Sequence, residues 1–126
     1  MESRAGILIV EDERIIALDL RSKIVKLGYT VLGLAHTGGE AVRLAGELQP
    51  DLVLMDIVLD GTLDGIEAAR RIRSNRQIPV VFVSACNDPA TKERAGLLGC
   101  PLFVAKPVDS SDLAERLREA LSECRQ

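Results

Sequence analysis

The stretch Ile7-Leu-Ile-Val-Glu11-Asp12-Glu13 joins a short apolar run directly to three acids. The run is too short for a helix and is rich in β-branched side chains, which favours a strand. Apolar residues occupy consecutive positions instead of alternating with polar ones, and this pattern is typical of a strand that helices cover on both faces. The stretch therefore predicts a buried strand of a parallel sheet that runs into Glu11 and Asp12.

Four further apolar runs of the same kind follow, separated by segments with helical periodicity. The five predicted strands are Ile7–Val10, Thr30–Ala35, Leu52–Met55, Val80–Val83 and Leu102–Ala105. Because parallel strands need crossover connections, which are usually helices, the alternation predicts an α/β fold with five parallel strands and five helices. The 126 residues contain no repeat or linker, so a single domain over residues 1–126 is expected.

The segments between the strands carry residues that begin or end helices. Gly28 follows an apolar helical face and predicts the end of the first helix. The pattern Thr37-x-x-Glu40 is typical of a capping box that begins the second helix, and Asp109 precedes the apolar stripe of the last. These signals place helices in the gaps between the predicted strands.

Composition and charge argue against several classes of function. Hydrophobic residues make up 47% of the chain and charged residues 28%, as in ordinary globular domains. The net charge of −3 leaves no basic surface for phosphate backbones, so direct binding of nucleic acid is not expected. Three widely spaced cysteines fit neither a disulfide framework nor a zinc site. No apolar run approaches the roughly 18 residues of a membrane span, and a cytoplasmic protein without a membrane partner is expected.

Polar side chains stand where the predicted strands end. The first strand runs into Glu11 and Asp12, the third into Asp56, the fourth into Ser84 and the fifth into Lys106. Taken singly, the acids and the serine are ordinary helix caps, and the lysine is an ordinary solvated charge. Ligands of open α/β sheets bind outside the carboxyl ends of the strands, however, and four of the five strands deliver a polar group there. The joint placement therefore favours a functional site.

The chemistry of this cluster points to a hard divalent cation. Three carboxylates at one edge repel one another, and burial would raise the pKa of at least one of them unless a cation were bound. Magnesium takes oxygen ligands, typically one or two carboxylates with waters and a phosphate oxygen. Asp56 is then a candidate nucleophile toward phosphorus. Lys106 and the Ser84 hydroxyl are candidates to neutralise the oxygens of the transferred group.

These residues lie in motifs that resemble the receiver domain of bacterial response regulators, and the resemblance covers essentially the whole chain. The matching stretches are Ile7-Leu-Ile-Val-Glu11-Asp12-Glu13, Leu52-Val-Leu-Met-Asp56-Ile, Ser84-Ala85 and Phe103-Val-Ala-Lys106-Pro107. The resemblance implies a flavodoxin-like fold with strand order 2-1-3-4-5. It also implies magnesium as cofactor and phosphoryl transfer from a phosphohistidine on a sensor histidine kinase or a histidine phosphotransfer protein.

The resemblance also implies the ligands of the metal. Asp12 is expected to be a direct ligand, while Glu11 acts largely through water. Asp56 is expected to accept the phosphoryl group and to bind the metal as well. The backbone carbonyl of Val58 would be the third protein ligand.

Further residues take their expected roles from the same resemblance. Ser84 and Lys106 would contact the phosphoryl group, and Pro107 would follow a cis peptide bond. Phe103 would report activation by rotating inward together with Ser84. The downstream protein partner would bind the surface of the fourth helix, fifth strand and fifth helix. A domain of this kind assists its own phosphorylation and dephosphorylation and is not a conventional enzyme.

The segment after Asp56 departs from the most common family pattern. It lacks the usual proline and is one residue longer before Asp64-Gly65, the pair that begins the next helix. Its stretch Asp60-Gly-Thr-Leu63 resembles haloacid-dehalogenase-type phosphatases, whose nucleophile lies two residues before the aspartate of Asp-Gly-Thr. That position is Val58 in this chain, which cannot attack phosphorus, so such a phosphatase is not expected.

Two alternatives remain open beside this interpretation. The chain could be a receiver-like scaffold that acts by protein contacts without phosphorylation, although the intact acids, serine and lysine argue against it. Phe103 is either the switch residue or an ordinary packed side chain. The lone His36 is interpreted as a loop or strand-end side chain, because it has no companions for metal binding.

Overall fold

The computed structural model describes residues 5–59, 64–84, 89–97 and 102–123, and in these residues five strands alternate with five helices. The strands are β1 (Gly6–Val10), β2 (Thr30–Ala35), β3 (Leu52–Asp56), β4 (Val80–Ser84) and β5 (Leu102–Ala105). The helices are α1 (Arg14–Lys26), α2 (Gly38–Leu48), α3 (Gly65–Asn75), α4 (Pro89–Gly96) and α5 (Ser110–Glu123). The predicted alternation of strands and helices is confirmed.

All strand pairs are parallel, and the sheet has the order β2-β1-β3-β4-β5. This order is the one that the family resemblance implies, so the predicted fold class is confirmed. Three strands are one residue longer than predicted: β1 begins at Gly6, and at the carboxyl ends Asp56 closes β3 and Ser84 closes β4. Both polar side chains are therefore fixed by the ladder itself instead of by a loop.

The core lies in two layers, one on each face of the sheet. Neighbouring residues of β1 point to opposite layers, so that Leu8 packs toward α2 and α3 while Ile9 packs toward α1 and α5. Each fully buried aliphatic side chain stabilises the fold by about 1.5–3 kcal/mol. Burial on both faces explains why the strands are continuous apolar runs, and it keeps the polar groups at the strand ends.

The helix ends follow the sequence signals, with one difference at α2. Gly28 adopts a φ of 99° after α1, a conformation that glycine adopts without strain. Thr37 caps α2 by accepting a hydrogen bond of 3.1 Å from the backbone N–H of Glu40. The carboxylate of Glu40, however, accepts from the backbone N–H of His36 at 2.8 Å and not from that of Thr37. The predicted capping box is thus half correct, because the acid reaches one residue further back.

Within the described residues, no helix combines the length and the apolar character that crossing a membrane requires. The peptide bond between Lys106 and Pro107 is cis, as the resemblance implied. The longer loop after Asp56 includes residues 60–63, which lie outside the described residues, as do all three cysteines.

Candidate functional site

The structure brings the predicted acids together at the carboxyl edge of the sheet. Because β1 and β3 are adjacent and parallel, Glu11 and Asp12 after β1 lie beside Asp56 at the end of β3. One carboxylate oxygen of each acid lies within 4.8 Å of the others. Glu11 is fully buried and Asp56 is 4% exposed, while Asp12 is half-buried. The three side chains therefore form one cluster at the surface end of the core.

Lys106 enters the same cluster from the end of β5. Its Nζ donates a hydrogen bond of 3.1 Å to Oδ2 of Asp56 and lies 3.3 Å from Oε1 of Glu11. A backbone hydrogen bond of 3.1 Å from Lys106 N–H to the carbonyl of Ser84 holds the ends of β5 and β4 together. Burial opposes the charge of the ammonium, but the hydrogen bond and the charge of Asp56 outweigh it, and the pKa of Lys106 is raised. Lys106 is therefore fixed as a cation beside Asp56.

The pKa of Glu11 indicates that the cluster contains more negative than positive charge. Burial and then the negative charge of Asp56 raise the pKa of Glu11 to about 7, and Lys106 offsets this only in part. Oε1 of Glu11 is buried and lies 3.3 Å from the Lys106 ammonium, which it shares with Asp56. Three carboxylates face one ammonium, so two negative charges are uncompensated when all three acids are ionised. A divalent cation would supply the missing charge, and the all-oxygen set of donors fits magnesium.

Val58 lies at the entrance to this cluster. Its backbone N–H donates to Oδ1 of Asp56 at 3.3 Å, so both carboxylate oxygens of Asp56 are engaged. Val58 is 69% exposed. The role of its carbonyl as a metal ligand stays a prediction.

Ser84 and Phe103 lie on neighbouring strands, on the path from Asp56 toward α4. Ser84 is almost buried at the end of β4, where it is paired with Ala105. The half-buried ring of Phe103 lies 5.7 Å from that of Phe82 and packs against the core layer that includes Ala95 of α4. The position suits a switch residue and equally an ordinary packed side chain, so the role of Phe103 stays a prediction.

Gly65 positions the end of β3, and the sequence interpretation assigned it only the start of α3. Its N–H donates to the carbonyl of Ile57 at 2.8 Å, while Asp64 caps the helix by accepting from the N–H of Glu67 at 2.8 Å. A Cβ atom on Gly65 would lie 2.1 Å from the backbone oxygen of Asp56. Only glycine allows the helix to approach so closely. The Asp-Gly pair was the available signal, but it does not reveal this contact.

Two further contacts at the site were not predicted. Arg94 of α4 forms a two-pronged ion pair with Asp64, with distances of 3.1 and 3.4 Å between nitrogen and oxygen. The ring of His36 lies against the first acid, with Nδ1 at 2.9 Å from the backbone oxygen of Glu11. The signal for His36 was its place directly after β2, whose carboxyl end meets the same edge of the sheet.

Comparison with known proteins gives a consistent result. Residues 7–118 match the model of the response regulator receiver domain family. The transcriptional regulatory protein PdtaR of Mycobacterium tuberculosis is 39% identical over 120 residues, which are 95% of this chain and 58% of that protein. The chain thus spans little more than half the length of this curated relative.

Solved structures resemble the chain over nearly its full length. The signal receiver domain of a modulated diguanylate cyclase from Desulfovibrio desulfuricans G20 is 40% identical, with a TM-score of 0.90 and 97% of each chain covered. A LuxR-family two-component response regulator from Aurantimonas sp. SI85-9A1 is 33% identical, with a TM-score of 0.89, covering 98% of this chain and 89% of that one.

Proposed function

The chain belongs to the response regulator receiver domain family, and we propose that it accepts a phosphoryl group on Asp56 from a phosphohistidine. As a receiver domain of two-component signalling, it acts with kinases or phosphotransfer proteins and with downstream partners. We take residues 1–126 to form one receiver domain that works in the cytoplasm. The observation that carries the proposal is the Asp56 carboxylate, which is nearly buried, ion-paired with Lys106 and grouped with two further acids.

Phosphoryl transfer to Asp56 needs an ionised carboxylate that is already in position. One carboxylate oxygen forms a bond to phosphorus while the bond from phosphorus to the donor histidine nitrogen breaks, and the electron pair of that bond returns to the imidazole. Lys106 Nζ, at 3.1 Å from Oδ2 of Asp56, would contact an oxygen of the arriving group. The Ser84 hydroxyl, at the end of the adjacent strand, would contact another oxygen.

Magnesium would be held by Asp12, Asp56 and the carbonyl of Val58, with Glu11 acting through water. When bound, the cation neutralises the carboxylates and the phosphoryl oxygens. The support for this assignment is the uncompensated negative charge of the cluster, in which Glu11 and Asp56 share the Lys106 ammonium and Asp12 adds a third carboxylate. Because Glu11 is fully buried, its own part is to set the charge of the site from behind Asp56.

The output surface is proposed to consist of α4, β5 and α5. Movement of the Ser84 hydroxyl toward a phosphoryl oxygen would free space beside β4, and the half-buried ring of Phe103 could fill it. This ring already packs against the core layer that contains Ala95 of α4, so its inward rotation would change the surface that α4 presents. Such a switch requires only a few kcal/mol between two states that exist beforehand.

The acceptor is tested by incubating the protein with acetyl phosphate and magnesium and measuring the intact mass. The wild type should gain one acid-labile phosphoryl group, and Asp56→Asn should gain none. Asp19→Asn is the matched control, because Asp19 is an exposed aspartate of α1 that pairs with Lys23 and should leave labelling unchanged. An adduct that persists in Asp56→Asn on another residue would refute the assignment.

The output surface is tested by amide resonances after adding beryllofluoride, which imitates the phosphoryl group. Shifts should extend from Asp56 to Ser84 and on through residues 90–121. Shifts confined to the loops around Asp56 would refute the proposed surface. Binding of a downstream partner that is the same for the wild type and for Asp56→Asn would favour the scaffold alternative.

A further inference from the structure

Both backbone polar groups of Glu11 are hydrogen-bonded to residues at the end of β2. Its N–H donates to the carbonyl of Ala35 at 2.9 Å, which continues the parallel ladder one residue beyond β1. Its carbonyl oxygen lies 2.9 Å from Nδ1 of His36. A carbonyl can only accept, so Nδ1 must carry the hydrogen and donate it. The ring of His36 therefore replaces a ladder hydrogen bond at the point where the strand pair ends.

The carbonyl that accepts this hydrogen bond belongs to the peptide group between Glu11 and Asp12. Because a peptide group is planar, the direction of its C=O fixes the plane and with it the start of Asp12. The turn has few other restraints. Glu13, the N-cap of α1, makes no side-chain cap hydrogen bond in the described part of the chain, although its N–H donates to Oε2 of Glu11 at 3.2 Å. His36 is thus the side chain from outside the turn that orients its central peptide.

His36 is itself held in place by the start of α2. Its backbone N–H donates to Oε1 of Glu40 at 2.8 Å. Glu40 in turn donates its backbone N–H to the Thr37 hydroxyl at 3.1 Å. The capping contacts of α2 therefore fix the backbone from which the ring reaches Glu11, and the ring is half-buried. The Glu40 carboxylate therefore anchors the backbone of His36 instead of that of the N-cap residue Thr37.

We propose that His36 is a positioning residue for the acids Glu11 and Asp12: its Nδ1–H fixes the peptide group between them, so that the Asp12 carboxylate is preorganised to bind magnesium. The inference rests on the proposed function only for the identity of the cation. It does not require that His36 touch the cation or the phosphoryl group, and it does not depend on the charge of the ring.

Three substitutions at His36 separate the hydrogen bond from the rest of the side chain. In His36→Asn the amide nitrogen is attached at the same branch point as Nδ1 and can donate to the same carbonyl. In His36→Gln the amide nitrogen lies one bond further out, near the place of Nε2, and in His36→Ala no donor remains. Magnesium affinity, measured by titrating amide resonances, should fall about fivefold in His36→Ala and His36→Gln, the effect of one ordinary hydrogen bond. His36→Asn should stay close to the wild type.

A matched control removes stability at the same helix without removing the ring. Arg43→Gly puts glycine at an exposed position of α2 and removes the solvent-exposed ion pair with Glu47, so it should lower stability toward urea yet leave magnesium affinity within about twofold of the wild type. If Arg43→Gly weakens magnesium binding as much as His36→Ala does, the role of His36 is purely structural and the proposal is wrong. It is also wrong if His36→Asn behaves like His36→Ala, or if His36→Ala binds magnesium normally.

A second measurement needs no metal. Correlation spectra of the imidazole nitrogens in the metal-free protein, with the ring neutral, should show the hydrogen on Nδ1. A hydrogen on Nε2 would overturn the proposal. Labelling of Asp56 by acetyl phosphate tests the proposed function separately. Absent labelling with the expected magnesium pattern would refute that function and leave His36 as a positioning residue, whereas normal labelling without the pattern would refute the role of His36 alone.

Discussion

Replacing Gly65 with alanine should destabilise the protein and disturb the end of β3. The new Cβ would lie 2.1 Å from the backbone oxygen of Asp56 and 2.8 Å from Cα of Ile57. Close contacts between carbon and oxygen are about 3.3 Å, so α3 and β3 would have to separate by roughly 1 Å. Both contacts are to backbone, and no side-chain rotation can relieve them.

The expected cost follows from three effects. Overpacking of a tight site costs about 1–3 kcal/mol, and a backbone contact belongs at the upper end of that range. Moving the helix also stretches the hydrogen bond of 2.8 Å from Gly65 N–H to the carbonyl of Ile57, which is worth about 1 kcal/mol. The better helix propensity of alanine returns less than about 1 kcal/mol, because Gly65 is the first residue of α3. The net loss should be about 2–3 kcal/mol, or a fall in Tm of roughly 10 °C.

Urea unfolding followed by circular dichroism measures this loss, and a second glycine supplies the control. Gly46 lies in the interior of α2 at an exposed position, and a Cβ atom there would meet no described atom within 4 Å. Gly46→Ala should therefore stabilise the protein by up to about 1 kcal/mol. If Gly65→Ala is as stable as the wild type, the close approach of α3 to Asp56 does not exist in solution.

The remaining predictions concern charge, access and a helix cap. With magnesium chelated, the pKa of Glu11 in the folded state is raised to about 7. In the unfolded state the same side chain has the ordinary glutamate pKa of about 4.3, so the folded state keeps a proton that the unfolded state releases. Stability should therefore fall as the pH rises from about 4 to 7 and then level off. Glu11→Gln should reduce this fall in urea unfolding, and an equal slope in both proteins would contradict the assignment. Val58→Asn should speed autodephosphorylation with magnesium present, because the amide can orient an attacking water and the exposed apolar side chain of Val58 cannot. An unchanged or slower rate would show that access at Val58 does not set the lifetime of the phosphorylated Asp56. Asp64→Ala should lower the free energy of unfolding by about 1 kcal/mol, because it removes the cap of α3. Arg94→Ala should lower it by at most about 0.5 kcal/mol, because the ion pair with Asp64 is solvent-exposed. Equal losses of stability in thermal unfolding would mean that the cap contributes nothing beyond the ion pair.

The amino-acid sequence was sufficient to predict the order of elements, the class of fold and the polar residues that gather at the strand ends. These properties are readable because they depend on neighbours in the chain. A strand buried on both faces must be apolar at consecutive positions, as in β1 and β3, and glycine or a capping side chain must stand where a helix ends, as at Gly28 and Asp109. Parallel topology then brings the strand ends to one edge, so the grouping of the acids with Lys106 followed without knowledge of any distance.

The contacts between the segments around the site became visible in the three-dimensional packing. The contact of Gly65 with Asp56 depends on how closely α3 approaches β3, and the ring of His36 meets Glu11 because two loops adjoin across 25 residues. The raised pKa of Glu11 depends on full burial beside another acid, which no local pattern encodes. The physical reason is the same in each case. Periodicity and capping are short-range and recur in many proteins, whereas these contacts arise from the packing of distant segments to within an ångström.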